Sequence, residues 1–164
     1  MFFACSSVFA QTAKDQAVAE WTRAKAYTKA YLDAMPADGY TFKPTPQVKS
    51  FSEQMLHIAD ADYFFVGTAS GKESPLGKTS LEKTTPQTKE ATTKAVMDGY
   101  DWVIATIKGM TEAQLSETAT IGKDMKVAKG LLLAKGFEHQ THHRGQTTIY
   151  IRLKGATPPN EMLF

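Results

Sequence analysis

Glu138-His139-Gln140-Thr141-His142-His143-Arg144-Gly145-Gln146 is the stretch on which the reading of this chain turns. It holds three of the four histidines. It also lies inside a run of helical spacing, predicted from about Lys126 to Lys154 and closed by Gly155 with Pro158-Pro159 beyond. A helix turns about 100° per residue, so His139 and His143 lie about 40° apart on one face. Along that face run Leu132, Gly136, His139, His143, Gln146, Tyr150 and Leu153, apolar at both ends and polar in the middle. Polar groups on a buried stripe need partners, because each unmet one costs about 1–3 kcal/mol. A metal ion can supply them, and hydrogen-bonded core histidines are the plainer alternative. His142 shares a face with His139 but points about 100° away from His143, so it is set aside. His57, in another helical segment, is the natural third ligand.

Working outward, three more long helices are predicted. The first runs from Lys14 to Met35, with Ala17, Trp21, Ala24, Thr28, Tyr31 and Met35 at alternating spacings of three and four. The second opens at Thr45-Pro46-Gln47, an N-cap followed by proline, and reaches about Ala69. His57 borders its apolar face. Ser70 to Thr84 reads as a polar loop, long enough to shape or cover a site. The third helix opens at Thr85-Pro86-Gln87 and runs to Lys108. Thr111 and Gln114 form a capping-box pattern for one short helical turn over Glu112 to Glu117, and Thr118 to Asp124 reads as a loop. No alternating strand pattern is seen. The predicted fold class is an all-α four-helix bundle with a short extra helical turn before the last helix.

At 164 residues the chain has the length of one domain, assigned to residues 11–164. Nineteen basic against seventeen acidic residues, with the lysines scattered, give no basic face for a nucleic acid. No apolar run is long enough for a membrane-spanning helix. Residues 1–10, Met1-Phe2-Phe3-Ala4-Cys5-Ser6-Ser7-Val8-Phe9-Ala10, read as the end of a signal-peptide apolar region before a cleavage site. That favours export to the periplasm; a cytoplasmic protein with an apolar N-terminal arm is the alternative. Cys5 is the single cysteine, so no disulfide forms within the chain.

Three neutral nitrogen ligands leave open coordination positions on a divalent ion, the arrangement of catalytic rather than structural sites. Water or a thiol bound there loses its proton more readily. Imidazole suits zinc, nickel, iron or copper, with zinc and nickel the leading candidates. Glu53, Asp60 and Glu138 are the nearby carboxylates, and none is assigned as general base. The chain has no phosphate-cradling glycine loop, nucleophile elbow, HExxH or CxxC.

Leu56-His57-Ile58-Ala59-Asp60, together with His139-Gln140-Thr141-His142-His143-Arg144-Gly145-Gln146 and the tail Tyr150-Ile151-Arg152-Leu153-Lys154-Gly155-Ala156-Thr157-Pro158-Pro159, resembles the DinB/YfiT-like superfamily. The resemblance covers essentially the whole chain after the first ten residues. It implies a four-helix bundle, often a homodimer, with His57, His139 and His143 as metal ligands. It also implies a small-molecule substrate, with a low-molecular-weight thiol as one candidate. Two functions follow: a metal-dependent thiol transferase or hydrolase, and a non-catalytic metal- or ligand-binding bundle, exported or surface-associated.

Overall fold

In the computed structural model, which describes residues 12–164, the signal-peptide reading of residues 1–10 lies outside the described residues. The Thr12 side chain accepts a hydrogen bond from the Asp15 amide and opens α1 (Ala13–Ala34). This helix buries Trp21, Ala24, Tyr27, Thr28, Tyr31 and Leu32, the stripe its spacing predicts. A 3-10 turn, Ala37–Gly39, follows.

Next comes α2 (Phe51–Ser70), which begins several residues later than the Thr45-Pro46 signal suggests. Ser50 caps it, accepting from the Glu53 amide while the Glu53 carboxylate accepts from the Ser50 amide. The connector decides the matter. The amides of Phe51 and Ser52 donate to the carbonyls of Phe42 and Tyr40, so the chain docks there before it can coil. Within the predicted loop lies a single helical turn, α3 (Leu81–Thr84).

The helix expected from Thr85-Pro86 also starts late: Thr88 caps α4 (Lys89–Lys108) through the Ala91 amide. From its first residue, Lys89 Nζ donates to the carbonyls of Asp33 and Met35 at 2.8 and 2.9 Å and so closes the end of α1. The capping box of Thr111 and Gln114 opens α5 (Glu112–Ser116) as expected.

Thr118 to Ala128, read from sequence as a loop and the start of the last helix, is instead an antiparallel hairpin. It consists of β1 (Thr118–Ile121) and β2 (Met125–Ala128), joined at Gly122 in the left-handed region at φ 61°. The last helix, α6 (Lys129–Leu153), therefore begins three residues later than predicted.

The frame is an all-α four-helix bundle. α1 packs on α4 and α6, and α2 packs on the same two, so α1/α2 and α4/α6 are the diagonal pairs. Trp21, Leu32, Phe51, Met55, Tyr100 and Ile151 are among its fully buried side chains. No described helix is long and apolar enough to cross a membrane.

On α6 the buried line differs from the predicted one. Leu132, Gly136, Gln140, Arg144, Thr147 and Tyr150 are buried, while Gln146 and Leu153 are exposed and His139 and His143 lie at the edge. The polar side chains at the centre satisfy one another. Thr28 Oγ1 lies 2.8 Å from the Tyr100 hydroxyl, which donates to Gln140 Oε1 at 2.9 Å. Arg144 Nη1 donates to the same Gln140 oxygen at 2.8 Å and to Thr28 Oγ1 at 3.4 Å. The Arg144 guanidinium also stands 4.4 Å from the centre of the Tyr27 ring. Arg144 is thus a buried structural tie between α6 and α1. Asp62 of α2 is fully buried with no hydrogen-bond partner for either oxygen. Burial raises its pKa well above the usual carboxylate range, against the opposing pull of Arg144.

Candidate metal centre

α2 and α6 lie side by side, and the two histidine-bearing stretches meet between them. His57 projects from α2, and His139 and His143 project one turn apart from α6. The close approach depends on Gly136: a Cβ there would stand 2.9 Å from the Cβ of Phe65 on α2. The imidazole centres are 5.1 Å apart for His57 and His139, 4.6 Å for His57 and His143, and 4.4 Å for His139 and His143. One ligand nitrogen from each of the three lies within 4.8 Å of the others, so the set could hold one metal ion.

Two further observations fit that donor set. The Nδ1 atoms of His139 and His143 are buried without a hydrogen-bond partner. Both side chains are held neutral. Burial lowers the His143 pKa to about 4, assisted by the neighbouring imidazoles and opposed by the Gln146 hydrogen bond. His139 is lowered by burial and then by His57 and His142. Neutral imidazole is the form that binds metals.

His142 is exposed, and its ring centre is 5.0 Å from that of His143. Its Nε2 pairs with the Gln146 side chain at 3.0 Å, and Gln54 of α2 donates to Gln146 in turn. His142 thus borders the cluster outside the converging set.

Sequence reasoning missed Glu82. Its carboxylate lies 3.2 Å from His57 Nδ1 and also pairs with Lys49. A carboxylate at that nitrogen favours the Nδ1–H tautomer and leaves Nε2 with its lone pair free. Asp60 holds Glu82 in place, since its carboxylate accepts from the Ser80 hydroxyl at 2.7 Å and from the amides of Leu81 and Glu82 at 2.8 and 3.1 Å. No periodic or motif signal links a residue in that turn-rich segment to His57.

The carboxylates weighed from sequence have other work. Glu53 caps α2 and pairs with Lys43 at 2.9 Å, and Glu138 is exposed and pairs with Lys135 at 2.5 Å.

Comparison with known proteins agrees with this architecture. By sequence, the chain is 26% identical over 148 residues to the uncharacterized protein YjoA of Bacillus subtilis (strain 168), covering 87% of this chain and 92% of that one. The crystal structure of YjoA, a DinB-like protein, matches with a TM-score of 0.72 at 22% identity, over 91% of this chain and 96% of its own. A DinB-like protein from Bacillus cereus ATCC 10987 matches with a TM-score of 0.73 at 20% identity, over 93% and 99%. The model of the DinB family matches residues 9–162, a span that includes all four bundle helices and both histidine-bearing segments. The chain belongs to the DinB family.

Proposed function

We propose that His57, His139 and His143 hold a divalent metal ion, zinc or nickel, at the centre of an enzyme site for a small-molecule substrate. The observation that carries this reading is the convergence of three imidazole nitrogens from two helices, with two buried Nδ1 atoms left without protein partners. Such an ion would lower the pKa of a thiol or water that reaches it, which is the chemistry of thiol transferases and hydrolases.

The rest is done by the chain. Burial between α2 and α6 keeps His139 and His143 unprotonated near neutral pH. Glu82 orients His57 through Nδ1, and Asp60 anchors Glu82 by capping α3. Phe65 packs beside the cluster, with its ring centre 5.8 Å from that of His139.

The second reading is a non-catalytic metal-binding bundle. It draws on one observation: Asp60 and Glu82, the acidic side chains beside His57, are both engaged in structural contacts, leaving no free general base there.

Metal analysis of untagged protein, after chelation and reloading, tests both readings. Wild type is expected to retain about one ion per chain, and His143→Ala to lose it; wild type without stoichiometric metal would end both proposals. A substrate screen with thiols and esters then separates them. Turnover favours the enzyme, and its absence with a chelator-sensitive melting temperature favours the binding protein.

A further inference from the structure

A groove runs from the histidines under the hairpin. Phe65 of α2, Ile121 and Val127 of the hairpin and Leu131 of α6 line it, together with His139 and His142. Its volume is about 640 Å3, within the range of small-molecule sites.

The walls follow from the hairpin register. Ala119 pairs with Val127 and Ile121 with Met125, so these four side chains leave one face of the ribbon, while Thr118, Thr120, Lys126 and Ala128 on the other face are exposed. A two-stranded ribbon is marginal alone, and this one is held by its apolar face. Even so, Met125 and Leu131 remain 59% and 50% exposed at the groove. The charges on the lining, Lys135 and Glu138, neutralise each other as a pair. The groove therefore attracts neither sign of ligand. On the far side of His57 lies a more polar recess of about 400 Å3, whose lining includes Asp60, Ser74, Thr79, Ser80 and Glu82. The cluster thus stands between a largely apolar space and one of mixed character, where Tyr63, Phe64 and Leu76 join the polar side chains.

We infer that the substrate is amphiphilic: an aliphatic chain occupies the groove under the hairpin, and the polar group to be acted on sits at the histidines. The inference rests on the reading of those histidines as a metal site. The shared wall at His139, the small-molecule volume and the neutral lining together favour a chain of this kind.

The probe is a homologous series of n-alkyl hydroxamates, from acetohydroxamate to octanohydroxamate, titrated calorimetrically into metal-free and zinc-loaded protein. Affinity is expected to rise about two- to fourfold per added methylene in both forms until the groove is filled, because each buried methylene adds a constant increment. Zinc should strengthen the whole series by a common factor. Leu131→Glu, at an exposed helical position on the groove wall, is expected to flatten the chain-length dependence in both forms. Val127→Asp should do the same from the opposite wall.

No chain-length dependence in either form overturns the inference, and zinc-dependent acetohydroxamate binding would then still stand for the metal site. A chain-length dependence with no gain from zinc supports the groove and overturns the metal reading instead. Loss of a dimer on Leu131→Glu, with no chain-length dependence in wild type, assigns the groove to a second copy and overturns the inference.

Discussion

The Nδ1 atom of His57 on α2 lies 3.2 Å from the carboxylate of Glu82 on α3. This contact joins the candidate metal centre to a segment that has only one helical turn of its own, and that turn is tied down by Asp60. A partner that fixes the tautomer and angle of a ligand histidine is commonly worth about 10–100-fold in metal affinity. Glu82→Ala is accordingly expected to weaken zinc binding by about that factor in competition with a chromophoric chelator. The melting temperature of the metal-free protein should change little, because Glu82 is partly exposed and its pairing with Lys49 is a surface contact. Unchanged affinity would remove Glu82 from the site.

The depressed His143 pKa has a consequence for stability without metal. In the unfolded chain this group has the ordinary value near 6.5, and in the folded chain it falls to about 4. Between those values the unfolded state binds more protons, so the folded state gains stability as pH rises from about 4 to 6.5. Above that window the contribution is constant. Urea unfolding of metal-free protein across this range is expected to show that rise, and His143→Gln should show a shallower one. Equal slopes would mean that His143 titrates normally.

Asp62 runs the other way. Its folded pKa is raised by burial, so its contribution to stability is greatest below the unfolded value of 3.8 and is lost as pH rises through the folded value. Asp62→Asn keeps the shape and removes the titration. Relative to wild type, this variant should gain stability as pH increases from 4 to 7, measured by the same urea series. A constant difference across that range would show that Asp62 is already ionised throughout, paired more closely with Arg144 than its lack of hydrogen bonds indicates.

Two glycines of α6 should respond with opposite signs. A Cβ on Gly136 meets Phe65 at 2.9 Å, so Gly136→Ala must push α6 from α2, at a cost of about 1–3 kcal/mol and with weaker metal binding. A Cβ on Gly145 meets nothing within 4 Å at an exposed helical position, so Gly145→Ala should stabilise by about 0.5–1 kcal/mol. Thermal and chemical denaturation of the two variants checks both signs.

Much of the frame was legible because it repeats. Trp21, Ala24, Thr28 and Tyr31 recur at helical spacing and are buried, and His139 and His143 one turn apart face His57 as expected. Helix starts were less legible where two cap signals compete. Thr45-Pro46 precedes Ser50 with Glu53, and only the docking of Tyr40 and Phe42 on the first turn of α2 selects the second. The hairpin was missed because four-residue strands alternate too briefly to register, and its apolar face reads as polar sequence interrupted by Ile121, Met125 and Val127. On α6 the predicted line was off by about one residue's turn, since it was drawn through His139, His143 and Gln146 while Gln140, Arg144 and Thr147 are the buried side chains. Their burial depends on Thr28 and Tyr100, which lie on other helices and cannot be paired from spacing.

The knot of Thr28, Tyr100, Gln140 and Arg144 has a mechanical meaning for the histidines on the neighbouring face. Sliding α6 by one turn would carry it about 5.4 Å along its neighbours. In an aliphatic core such a slip exchanges one greasy contact for another. Here it would strand a guanidinium, an amide and a phenol at once, each tuned to a single partner position. The knot therefore acts as an indexing pin: side chains that never face the candidate metal centre set how far along α1 and α4 the two α6 histidines stand. The position of two of the three imidazoles is thereby written into the adjoining face of the helix that carries them.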